Sequence, residues 1–138
     1  MEFRSRDGRF GLKLDEKLVQ RIFAFCEASG GCEIGGILAG FYTPQHDCAV
    51  VTTVTGPPID SRRGKTWFQR GTRGLQRLLR HLWSQDQRYY LGEWHFHPGA
   101  APEPSVTDIG QLTQIAHSSI YQCPEPVLVI IGGTISGE

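Results

Sequence analysis

The sequence predicts an α+β fold, a mixed β-sheet packed by helices, and three observations point to it. Apolar residues recur at spacings of three and four over residues 14–29 and 72–84, the period of an amphipathic helix. Residues 48–55 are rich in valine and threonine, and 127–131 are wholly apolar; both read as strands. The order helix, strands, helix, strand, helix, strand is that of one sheet covered by helices.

Residues 1–13 are polar, basic and punctuated by glycine, and read as a flexible arm or a short edge strand. Asp15 caps a helix running to about Ser29, with Leu14, Leu18, Ile22 and Phe25 as its buried stripe. Gly30-Gly31 stops it. Glu33–Tyr42 reads as a buried strand whose glycines admit another backbone or a ligand at close range. A hairpin connection over 43–47 leads to the strand 48–55. Residues 60–71 form a basic loop, followed by a helix from Thr72 to Ser84 with Leu75, Leu78, Leu79 and Leu82 inward. Between Asp60 and Asp86 lie seven Lys/Arg and no acid. That run reads as a solvated helix face or, over 62–80, as a patch for an acidic partner surface. The aromatic segment from Arg88 is a strand ended by Pro98-Gly99. Ser105–Ser119 is a helix with Ile109, Leu112, Ile115 and Ala116 inward, and the apolar 127–131 is a strand central in the sheet.

At 138 residues the chain fits one domain, 1–138. Apolar residues at 39% and charged residues at 20% mark an ordinary globular protein. Net charge is zero, which gives no general argument for nucleic acid or membrane partners. No apolar run reaches the roughly 18 residues of a membrane span, and Met1–Asp7 lacks the apolar core of a signal peptide. A cytoplasmic location follows as an expectation. The four cysteines, Cys26, Cys32, Cys48 and Cys123, include no Cys-x-x-Cys and read as reduced, mainly buried residues.

The chemistry concentrates in Trp94-His95-Phe96-His97-Pro98 and in Ser105 to Asp108. His95 and His97 alternate on a strand and share a face, while Phe96 points to the other. Asp108, on the first turn of the next helix, can fold back over them. Two imidazoles and a carboxylate are a ligand set for catalytic zinc, with the fourth tetrahedral position left to water. Two plainer readings compete. His-x-His on a strand also occurs as a surface pair without metal, and Ser105-Val106-Thr107-Asp108 is also a capping box.

His95-x-His97-Pro98, six residues, then Ser105-x-x-Asp108 resembles, in register, the JAMM motif of the JAB/MPN+ metalloproteases. Glu33-Ile34-Gly35-Gly36-Ile37-Leu38-Ala39-Gly40 resembles that family's first strand, which carries the catalytic glutamate. The resemblance runs from about Leu14 to Gly133. It implies the MPN fold, with His95, His97 and Asp108 as ligands to one Zn²⁺ bearing the catalytic water. It also implies Glu33 as acid/base and Ser105 as donor to the oxyanion. Glu93, two residues before His95, is a local rival for the base. Phe96 stands where the family commonly has Ser or Thr.

The activity implied is cleavage of an isopeptide or peptide bond after the glycine tail of ubiquitin or a ubiquitin-like modifier, the tail lying extended along a sheet edge. The short chain looks most like bacterial stand-alone members found with ubiquitin-like conjugation systems, including antiphage operons. Alternatives are processing of sulfur-carrier proteins and a non-catalytic binding scaffold. Family members usually continue past the equivalent of Gly133 with another strand, so a minimal or truncated C-terminus is expected.

Overall fold

The computed structural model describes residues 1–133. Its main sheet has six strands: β1 (Glu2–Arg4), β2 (Gly11–Leu14), β3 (Ile34–Tyr42), β4 (Cys48–Val54), β7 (Tyr89–Pro98) and β8 (Val127–Gly133). A small hairpin, β5 (Arg62–Arg63) with β6 (Phe68–Gln69), stands apart from it. Three helices complete the described residues: α1 (Glu16–Glu27), α2 (Leu75–Asp86) and α3 (Val106–His117). The sheet order is β1-β2-β4-β3-β7-β8, with β2/β4 and β7/β8 parallel and the other pairs antiparallel. The mixed sheet under helices is the architecture the sequence predicted. Among the described residues no helix is long and apolar enough to cross a membrane.

The N-terminal segment takes the edge-strand alternative, since β1 and β2 extend the sheet. The loop over 60–71 is more ordered than expected and folds into the β5/β6 hairpin. The apolar β8 is not central: among the described residues it forms the edge beside β7. It is half-buried there, because β1, β2 and α1 line a common apolar hollow with it. Two edges facing one hollow mean the sheet is curled, and curling gives an edge strand the cover that a flat sheet reserves for inner strands. The expected C-terminal truncation concerns the chain past Gly133 and lies outside the described residues.

Asp15 caps α1 by accepting from the Leu18 N–H at 2.9 Å. The helix buries Val19, Ile22 and Cys26, with the expected Leu18 and Phe25 flanking them half-buried. It covers the face that carries Leu38, Leu91, Trp94 and Phe96. Trp94 is fully buried, stacks on Phe25 at 5.9 Å and donates its indole N–H to the Thr55 carbonyl at 2.8 Å. Against Ile37 and Tyr90, in a second cluster, pack Leu75 of α2 and Ile115 of α3.

A register shift decides which β7 residues share the second face. Leu38 pairs with Gly92 but Ala39 pairs with Tyr90, so Leu91 is an extra residue, a β-bulge. The bulge turns Leu91 to the α1 core and puts Tyr90 on the side of Glu93. Simple alternation places Tyr90 opposite.

The glycines of β3 act through close approach. A Cβ on Gly35 would lie 2.3 Å from the Trp94 carbonyl oxygen and 2.7 Å from the His95 ring. Gly35 pairs with His95, so the missing side chain is what allows the imidazole to lie against β3.

Candidate metal centre

β7 brings His95 and His97 to one face, their ring centroids 6.5 Å apart and both side chains buried. Phe96 points the other way into the core, so its departure from the common Ser or Thr touches packing alone. Pro98 ends the strand, and the turn after it carries the chain to α3. Ser105 caps α3 in a complete capping box. Its Oγ accepts from the Asp108 N–H at 3.0 Å, and Asp108 Oδ2 accepts from the Ser105 N–H at 2.9 Å. The same carboxylate reaches the histidines: Oδ1 lies 3.0 Å from His95 Nδ1 and Oδ2 lies 3.2 Å from His97 Nε2. The capping box and the ligand reading are therefore one arrangement. A cap holds the carboxylate on the first turn, and the first turn sits over the imidazoles.

This inward turn of Asp108 also sets the phase of α3. Asp108 and Ile115 are buried and Leu112 is half-buried, whereas Ile109, expected inward, is 53% exposed. One residue is about 100° of helix, so a buried Asp108 swings its neighbour outward.

Donor atoms of His95, His97 and Asp108 lie within 4.8 Å of one another. Among the described residues the buried Nε2 atoms of both histidines make no hydrogen bond, the 3.2 Å approach of Asp108 Oδ2 to His97 Nε2 lacking the geometry of one. Buried polar atoms without partners are costly, and a cation among these three groups would satisfy both. Their protonation suits it. Burial holds the His95 imidazole below its usual pKa, in the neutral form that binds metal. Burial opposes the charged form of Asp108, but the Ser105 N–H and the two imidazoles outweigh it and lower its pKa. The residues present fit a divalent metal ion.

Glu33 precedes β3, and the register that pairs Gly35 with His95 brings it beside His97. Its Oε1 lies 3.9 Å from His97 Nε2. Burial raises its pKa, with His97 opposing and Asp108 adding to the shift. Its backbone N–H donates to the Gly64 carbonyl at 2.9 Å, which fixes it to the β5/β6 hairpin. Ser105 is exposed, and because its Oγ accepts from the cap its own hydroxyl hydrogen is free to donate.

Residues 15–137 match the family model described as prokaryotic homologs of the JAB domain. The chain belongs to this family. The JAB chain is 42% identical over 136 residues to a protein of Enterobacter hormaechei subsp. hoffmannii named "CD-NTase/cGAS isopeptidase", covering 99% of this chain and 75% of that protein. It is 26% identical over 123 residues to "Probable metalloprotease y4qB" of Sinorhizobium fredii, covering 87% of this chain and 74% of that one. The solution structure of protein DSY2949 from Desulfitobacterium hafniense shares the fold, with a TM-score of 0.57 at 20% identity, over 70% of this chain and 64% of that one.

In this JAB domain Glu93, the sequence's rival for the base, has other partners. Its Oε1 accepts from Arg70 Nε at 2.6 Å and its Oε2 accepts from the Tyr90 hydroxyl. Arg70 also donates to the Tyr121 hydroxyl and, at 2.6 Å, to the Gly71 carbonyl. Both charged side chains are nearly inaccessible, 5% for Arg70 and 4% for Glu93. Sequence reasoning missed this network, since Arg70 looks like any other cation of its basic run. It also missed Phe68, whose ring meets His95 edge-on at 5.7 Å. No spacing signals either, because both contacts join segments more than twenty residues apart in sequence.

Removing one partner of a buried ion pair strands the other charge. Arg70→Ala should therefore lower unfolding stability by about 3–5 kcal/mol, measured by urea denaturation. Arg70→Ala together with Glu93→Gln should recover part of that loss. A change under about 1 kcal/mol, the scale of an exposed pair, would mean that the pair is solvated.

Proposed function

We propose that this chain is a zinc-dependent isopeptidase that hydrolyses the amide between the C-terminal carboxyl of a protein and a lysine ε-amine. The relatives' name supports a CD-NTase as the joined protein, in the position where the motif alone suggested a ubiquitin-like modifier. The observation that carries the reading is the pair of buried histidine nitrogens that make no hydrogen bond and converge with Asp108, beside the Glu33 carboxylate, which no other described side chain engages.

His95, His97 and Asp108 hold the zinc. When bound it supplies Lewis acidity, polarising a carbonyl and lowering the pKa of water from about 15.7 to near 7. Glu33 takes a proton at its carboxylate from the attacking water and delivers it to the departing lysine amine. Its raised pKa suits both directions of transfer, and Glu93 is tied up by Arg70 and Tyr90. Ser105 Oγ–H donates to the oxygen that gains charge as the carbonyl becomes tetrahedral. Phe68 and the β3 backbone at Gly35 pack on His95 and keep its ring from turning.

The test is a CD-NTase joined by an isopeptide bond to a lysine-bearing protein, incubated with the zinc-loaded chain. Both proteins should be released, and a chelator should stop the release. An intact conjugate after incubation with protein shown to hold one zinc would remove the reading.

A further inference from the structure

Of the seven cations between Asp60 and Asp86, the fold withdraws Arg70 into the core and leaves the rest exposed. Three of these, Arg73, Arg77 and Arg80, line a single hollow of about 550 Å³ at the start of α2. No acidic side chain among the described residues lines it. Among the described residues none of the three enters an ion pair. Asp60, close by in sequence, points its carboxylate at the backbone N–H groups of Thr72 and Arg73, at 3.1 and 3.0 Å.

The hollow adjoins a second one. Thr72, Ile120 and Tyr121 line both it and a groove of about 290 Å³ that reaches His95 and Asp108. The arginine hollow and the groove to His95 and Asp108 are therefore neighbours that share these three wall residues. Ile120, 53% exposed, stands on the rim the two share.

We infer that the arginine-lined hollow receives an acidic face of the folded protein whose C-terminal end occupies the metal centre. The inference rests on the proposed isopeptidase activity for the position of that end. Three exposed guanidinium groups outside any ion pair, with only the Asp60 carboxylate near Arg73, form a local positive field on a chain of zero net charge, which steers and orients an acidic surface. A protein is favoured over a nucleic acid because bases bind by stacking on free aromatic faces. Tyr121, the aromatic residue of the hollow, already packs against Tyr90 at 4.6 Å and carries Arg70 over its ring at 5.4 Å.

The experiment measures binding of the CD-NTase isopeptide conjugate to the zinc-loaded Glu33→Gln protein, with and without Arg73→Glu, Arg77→Glu and Arg80→Glu together. The triple reversal should weaken binding about ten- to a hundred-fold, mainly through slower association. It should also abolish most of the salt dependence. Replacement of the three by Gln should give a smaller loss in the same direction and guards against misfolding of the reversed protein. In the Glu33 background of the natural sequence, a short peptide carrying the same C-terminal end linked to lysine should be cut equally with and without the reversal.

Each outcome decides something. Conjugate binding unchanged by reversal overturns the docking surface, even if the short peptide is cut. Binding that falls on reversal, with neither substrate cut by the natural sequence, upholds the surface and removes the isopeptidase reading. A single-stranded oligonucleotide that binds more tightly than the conjugate, and is lost on reversal, overturns the protein partner in favour of nucleic acid.

Discussion

Asp108→Ala is expected to remove metal binding and hydrolysis together. The carboxylate has two tasks: one oxygen faces His95, the other faces His97 and also accepts from the cap N–H of Ser105. Loss of a group that merely supports a ligand typically costs about 10–100-fold in metal affinity, and loss of a ligand costs more. The cap contribution is separable. Ser105→Ala forfeits the Oγ acceptor of the same capping box, a loss of about 1 kcal/mol in stability, yet leaves the three donor groups in place. Metal analysis after dialysis should therefore find zinc in Ser105→Ala and none in Asp108→Ala, with both proteins folded by circular dichroism. One zinc per chain retained by folded Asp108→Ala would show that the carboxylate is only a cap.

The second large effect belongs to Glu33. Glu33→Gln keeps the shape and removes the proton acceptor, so turnover should fall by about 10²–10⁴-fold while zinc content stays at one per chain. Glu93→Gln provides the contrast. Its carboxylate is enclosed by Arg70 and Tyr90, so the change should be read out in unfolding stability, with turnover of the folded protein largely kept. Should Glu93→Gln be the inactive variant at full zinc content, with Glu33→Gln active, the two roles are reversed.

Much of the site follows from local rules. His95 and His97 share a face because alternate residues of a strand do, and Phe96 enters the core for the same reason. Asp108 stands over them because it is the third residue after a serine cap. Ile109 shows where such rules fall short. Apolar periodicity assigned it inward, but burial of its neighbour Asp108 against two imidazoles fixed the helix phase instead. The position of β8 at the edge of the described sheet was similarly hidden, since a wholly apolar strand reads the same whether it is covered by two neighbours or by the curl of its own sheet.

The sequence alone determined the histidine pair, the capped aspartate and the sheet-and-helix architecture, because each depends on residues two to four apart along one element. Only the tertiary structure decided which glutamate stands free beside the histidines. Glu33 arrives across sixty residues by the pairing of β3 with β7, and Glu93 is closed off by an arginine from another segment and by a bulge that turns Tyr90 to meet it. Strand register and the burial of a lone charge are set by which distant segments meet, and no spacing within a segment encodes that.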